Sequence, residues 1–286
     1  MRDNLRRYRA IRQALAQCYP TSSQGNFARH LNTLAALISG IVGSKSTQLP
    51  HIATKVPDGT KPESRVTRFA RWCDNAHILE EVYFLPYAAV LLCHLALQTV
   101  VRVMDGSVAG RGCNALMLHV VYKGRALPLA WRVRQGPKGH FPEDLHIALV
   151  ELVSGLILEG TQVVFLGDGE FDGTRLQHTI EGVGWSYVCR TGCHRTAWWD
   201  GETFRLDTLG ACSKPGTLVA LSEVWFTRAE YGPIMLISYG SPIFTVVHKN
   251  WYPASYRALT QSPIAPESAA GEGAERSHIA QSGVAP

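Results

Sequence analysis

Two aspartates in this sequence stand where chemistry is done. Asp105 closes the β-branched run TVVRVMD (99–105), and Asp168 closes the apolar run TQVVFLGD (161–168). In open α/β sheets, functional groups collect beyond the carboxyl ends of the strands. Two carboxylates brought together there repel, which raises one pKa unless cations neutralise them. Hard oxygen ligands with open positions suit Mg²⁺ or Mn²⁺. Two such ions about 3.5–4 Å apart activate an attacking water or hydroxyl and stabilise the leaving oxygen of a phosphodiester. Either Asp alone reads as a turn former, because Asp-Gly opens turns so often. The pair, each following an apolar strand, makes Asp105 and Asp168 the candidate catalytic and metal-binding residues. Within the same second segment, Asp172 reads as the cap of the next helix, and Glu170 is a further candidate ligand.

The elements that must hold this pair follow from pattern and punctuation. ALMLHVVYKGRALPLAWRVR (115–134) reads as two strands joined by a tight turn at Lys123-Gly124. PEDLHIALVELVSGLILEG (142–160) predicts an amphipathic helix with acids in its first turn and a glycine stop. A strand at 161–168, a helix from 173 and a strand at 185–190 complete the series. Three consecutive strands followed by αβ units are the order of an RNase H-like α/β core, assigned to 98–194. Residues 195–245 predict a β-rich insertion, and 246–286 a disordered tail rich in Ala, Ser, Gly and Pro. Residues 1–97 predict helices: a first with Tyr8, Ile11, Leu15 and Cys18 on one face, a second capped by Asn26, a short third near His51–Lys55, a fourth over 61–75, and a fifth from His77 to about Ala96.

Charge divides the chain at the same place. Residues 1–75 carry a balance of +8 and the remainder −3, giving the net +5. A basic front on a nearly neutral body fits a polyanion-binding module, the alternative being a solubilising surface. In the fourth helix Arg65, Arg68, Arg71 and Trp72 recur at i, i+3, i+6 and i+7, a basic stripe with an aromatic edge that points to duplex DNA. Arg190, His194 and Arg195 follow the last core strand and are candidate phosphate contacts. Trp198, Trp199 and Trp225 can stack on bases, although core packing is the ordinary role of Trp. The apolar content of 46% excludes a disordered regulator for most of the length. Seven scattered cysteines and a charged start without a secretory signal fit a reducing cytoplasm. Cys189, Cys193 and His194 lack the second pair that a zinc site needs. The apolar run 83–97 is too short for a membrane span.

The segments DGSVAGRGCNALMLHVVYKGRALPLAWRVRQGPKGHFPEDLH (105–146), VVFLGDGEFDG (163–173) and GWSYVCRT (184–191) closely resemble transposases of the insertion-sequence-four family, over roughly residues 60 to 240. The resemblance implies an RNase H-like core holding an Asp, an Asp and a Glu that bind two divalent ions. Asp105 then matches the first acid and Asp168 the second. It also implies a β-rich insertion before the Glu, action as a homodimer on paired element ends, cleavage of DNA at those ends and joining of the freed 3′-hydroxyl to a target. The expected place of work is the bacterial cytoplasm, at the nucleoid.

The departure is as specific as the likeness. The family's Glu lies in a helix patterned Tyr-x2-Arg-x3-Glu-x6-Lys. After Tyr231 the tyrosines Tyr239, Tyr252 and Tyr256 are followed three residues on by Pro242, Ser255 and Leu259, and Arg257 is followed four residues on by Gln261. Glu267, Glu272 and Glu275 fall in the low-complexity tail. A truncated or frameshifted reading frame is the economical expectation. The chain then reads as a DDE transposase defective in catalysis as written. Two rivals stand beside it: a non-catalytic DNA-binding inhibitor of transposition, and an RNase H-like nuclease without transposon ends to recognise.

Overall fold

The helical front is assembled around small residues and one apolar cluster. The computed structural model describes residues 2–19, 24–136, 141–212, 218–226, 231–239 and 244–248. Helix α1 (Arg2–Cys18) packs on α2 (Gly25–Ser44), which carries α3 (Leu49–Thr54) and α4 (Pro62–Cys73). Ala36, Leu37, Ile52, Ala53, Val56 and Phe69 form their common core. Gly40 permits the close approach of α3, since a Cβ there would lie 2.8 Å from the Ile52 carbonyl oxygen. Pro62 opens α4 at a position where its missing N–H costs nothing. The single helix predicted from His77 to about Ala96 is instead α5 (Glu80–Tyr83) and α6 (Leu85–Leu95). Pro86 explains the break, because it gives no N–H to the Val82 carbonyl and its ring crowds that turn. Asn26 lies inside α2 and not at its cap.

Alternation and turn chemistry then build the sheet. β1 (Val100–Gly110), β2 (Cys113–Tyr122) and β3 (Arg125–Gln135) form an antiparallel meander. Its turns, Arg111-Gly112 and Lys123-Gly124, have positive φ at both residues, the left-handed pair that matches strand twist in a two-residue hairpin. Next come α7 (Glu143–Ser154), β4 (Val163–Gly167), α8 (Thr174–Gly182) and β5 (Ser186–Thr191). β4 runs parallel to β1, and β5 parallel to β4. The order β3-β2-β1-β4-β5 is the mixed sheet of an RNase H-like core. α7 packs on β2 and β3, α8 on β5, and α6 on β3, where Phe84 meets Trp131 edge to face.

The β-rich region is β6 (Thr196–Trp199), β7 (Glu202–Arg205), α9 (Leu206–Cys212), β8 (Leu218–Phe226), β9 (Tyr231–Tyr239) and β10 (Phe244–His248). It is not a separate layer. β10 pairs antiparallel with β5, so among the described residues the strands make one ten-stranded sheet, continuing β5-β10-β9-β8-β6-β7. The boundary expected between 245 and 246 therefore falls inside a strand, and the remaining tail residues, 249–286, lie outside the described residues. No helix among the described residues is long and apolar enough to cross a membrane.

One face of the core sheet is sealed. Met104, Leu116, Leu118, Phe165, Leu149 and Leu176 belong to one buried cluster, and each large apolar side chain so buried contributes about 1.5–3 kcal/mol. Arg102 breaks the apolar rule on that face. It has no exposed surface, and none of its guanidinium nitrogens has a hydrogen-bond partner among the described residues. It lies 5.8 Å from the Trp185 ring centroid, and burial pulls its pKa down to about 10. A buried polar group without a partner costs about 1–3 kcal/mol, and a charged one more. Arg102→Met should therefore raise the unfolding free energy by about 1–3 kcal/mol, read from urea denaturation. A loss of stability would show that the guanidinium has a partner after all.

Candidate functional site

Asp105 does not end its strand, contrary to the sequence expectation. β1 runs on to Gly110, because β2 pairs with it through Asp105↔Met117, Gly106↔Leu116 and Ser107↔Ala115. The ending belongs to β4, whose pairing with β1 stops at Val103↔Leu166 and whose last residue is Gly167. Two residues beyond that last rung stand Asp105 on one side and Asp168 on the other. On the far side β4 pairs with β5 up to Gly167↔Cys189, so the next step sets Arg190 against Asp168. Continued past its last rungs, the register sets Asp105 and Arg190 to either side of Asp168, which itself lies in the turn after β4. All three are exposed, while Met104 and Cys189, their neighbours in the chain, are buried on the other face. Ser107 Oγ donates to Asp105 Oδ2 at 3.3 Å, and Asp168 Oδ1 accepts the Glu170 N–H at 2.9 Å, fixing the turn after β4.

The other acids of that turn are occupied elsewhere. Glu170 Oε1 accepts the Phe141 N–H at 2.8 Å and lies 3.8 Å from His146 Nε2, anchoring the segment before α7. Asp172 is not the helix cap that the sequence suggests; Gly173 holds that position. Asp172 is buried and accepts Thr191 Oγ1 at 2.7 Å and Arg195 Nη2 at 2.6 Å. The phosphate contact expected of Arg195 thus meets a competitor, since its fork is turned to this carboxylate. Arg190 and His194 remain exposed. Cys189 is buried, and desolvation pushes its thiol pKa up, as suits a packing residue and not a ligand.

The basic stripe of α4 is corrected more sharply. Arg65 is buried, with Nη1 donating to the Ala53 carbonyl at 2.7 Å and Nε and Nη2 donating to Asp58. Arg68 donates to Asp58 Oδ2 at 2.9 Å, and Arg71 is exposed. Arg65 is therefore the pin of the α3–α4 loop, and only Arg68 and Arg71 of the stripe reach the surface. Helical period grouped the three correctly; the missing signal was Asp58, seven residues upstream in the sequence. Core packing is expected for at least two of Trp198, Trp199 and Trp225; Trp198 and Trp199 are exposed instead, because their strand lies near the edge of the sheet.

Among the described residues no group of three or more His, Cys, Asp or Glu side chains is arranged to hold a metal ion. Asp105, in mid-strand, and Asp168, just past the end of β4, each offer a solvent-facing carboxylate. Such oxygen donors fit one Mg²⁺ or Mn²⁺ that keeps several waters. Comparison with protein-family models and with curated proteins gives no match. Among solved structures the chain is similar to the catalytic domain of human Endonuclease V, at 14% identity and a TM-score of 0.27, with 59% of this chain and 82% of that chain covered. A likeness of that size assigns no activity.

Asp58 gives the helical front a pH dependence. Burial acts to raise its pKa, but hydrogen bonds from Thr60, Arg65 and Arg68 outweigh it and hold the carboxyl below its usual value. A carboxyl lowered in the folded state adds stability that is present above its unfolded pKa, about 3.9, and is lost as the pH falls through the folded value. Asp58→Asn should thus cost about 1–3 kcal/mol at neutral pH, mainly by removing the charged partner of Arg65 and Arg68, and less at about pH 3. Thermal unfolding of the two proteins across this range checks the expectation, and a penalty independent of pH would refute it.

Proposed function

We propose that this chain is a DNA-binding protein of the DDE transposase type whose metal-binding carboxylates are Asp105 and Asp168. The observation that supports the reading is their register: both stand two residues beyond the last β1–β4 rung and are exposed, with Arg190 one step past the last β4–β5 rung. A divalent ion held there would neutralise the pair and polarise a phosphodiester oxygen. Arg190 and His194 are placed to meet the flanking phosphates, and Arg68 and Arg71 to meet duplex DNA at the helical front. Cleavage at element ends, strand transfer and a dimer on paired ends remain parts of this proposal that rest on the family resemblance.

Ligand count among the described residues argues that catalysis is impaired. Two carboxylates hold one ion with water filling its shell, and a second ion needs a further acid across the site. Glu170, the nearest spare acid in the sequence, is committed to Phe141 and His146. That favours, as a second reading, a binder that occupies element ends without cutting them. The two readings separate in one experiment, in which the full chain is incubated with supercoiled DNA and Mg²⁺ or Mn²⁺. We expect binding with a salt slope of about −0.9 per phosphate contact, and at most slow nicking that Asp105→Ala and Asp168→Ala each abolish. Absence of DNA binding at low salt would overturn both readings. Nicking that survives Asp105→Ala would overturn the assigned site.

A further inference from the structure

The helical front carries an open pocket of about 450 Å³ between α1, α2 and the segment from Val56 to α4. Three of its polar lining residues are cationic, Arg12 of α1, Arg29 of α2 and Arg68 of α4, beside Asn32, Thr33 and the Tyr8 hydroxyl. Asp58 is the one acid in that lining, and it is already engaged by Thr60, Arg65 and Arg68. Among the described residues neither Arg12 nor Arg29 makes an ion pair or a side-chain hydrogen bond. Arg68 spends one Nη on Asp58, while its Nε is buried with no partner. Three arginines from three helices therefore line one space that holds a single carboxylate, Arg12 and Arg29 exposed at it and Arg68 half-buried. Like charges so placed repel, and an unpartnered buried donor is costly, unless an anion sits among them. The planar fork of guanidinium matches the oxygens of phosphate in pairs.

We propose that this pocket is a phosphate-binding site in which Arg12 and Arg29, helped by Arg68 and Asn32, grip one phosphate group. The group is either a phosphodiester of DNA passing the helical front or a free phosphate or phosphomonoester; the recognising chemistry is the same. The site is separate from the Asp105–Asp168 pair and stands whether or not that pair binds metal.

The test is calorimetric titration of the full chain with inorganic phosphate and, separately, with a short DNA duplex. One probe or both should bind, and Arg12→Gln and Arg29→Gln should each weaken that binding about tenfold or more, as expected for loss of a charge-assisted contact. Arg9→Gln, on the same helix but outside the lining, should change it less than about threefold. Phosphate binding that the duplex displaces assigns the site to the DNA backbone; phosphate binding that the duplex leaves intact assigns it to a small ligand. A second readout needs no variant: phosphate should raise the melting temperature of the native chain where chloride at equal ionic strength does not. Binding of neither probe, or equal weakening by all three substitutions, overturns the proposal.

Discussion

A parallel ladder of four rungs, from Val100↔Val163 to Val103↔Leu166, is the contact on which the candidate site depends. Side chains alternate along a strand, so a slip of one residue would turn one aspartate into the core and leave the other outside. The register is pinned by what lies on the buried side. Val100, Met104, Val163 and Phe165 belong to the sealed core, and none can reach solvent without losing that burial. β1 then overshoots β4, because β2 continues to pair with it as far as Gly110. The overhang leaves Asp105 on an edge where water and ions have access, beside the turn that carries Asp168.

Around this register the turn after β4 is held at three points. The Asp168 carboxylate takes the Glu170 N–H, Glu170 ties the turn to Phe141, and Asp172 locks it to Thr191 and Arg195 at the end of β5. These bonds direct the spare carboxylates away from Asp105 and Asp168. In the proposed reading a divalent cation would offset the repulsion of these two like charges, with Arg190 adding positive charge from the next strand. β10 closes the far edge of the core by pairing with β5, so the β-rich region braces the strand that carries Arg190.

The parts that sequence made legible are those governed by local rules. Alternation marked β2 and β3, Lys123-Gly124 marked their turn, and the order of elements marked the RNase H-like core. What sequence hid depended on partners distant in the chain or in space. Asp105-Gly106 has turn chemistry, yet Met117 and Leu116 hold both residues in the ladder. Arg65 has the spacing of a surface stripe, yet Asp58 and the Ala53 carbonyl draw it inward. Asp172 has the composition of a helix cap, yet Arg195 claims it across the end of β5. Period identifies which residues share a face; it does not say which face meets the core, nor which buried carboxylate waits there. The reading of Asp105 and Asp168 as two strand ends is corrected for Asp105, a mid-strand residue exposed by a shorter neighbour.

The central claim is that these two carboxylates form one cation site. Its most direct test is titration of the full chain with Mn²⁺, with bound ion read by electron paramagnetic resonance. The account predicts one Mn²⁺ per chain in the native protein, loss of that ion in Asp105→Asn and equally in Asp168→Asn, and its retention in Glu170→Gln. Undiminished binding in either Asp variant, or loss on changing Glu170 alone, would contradict it.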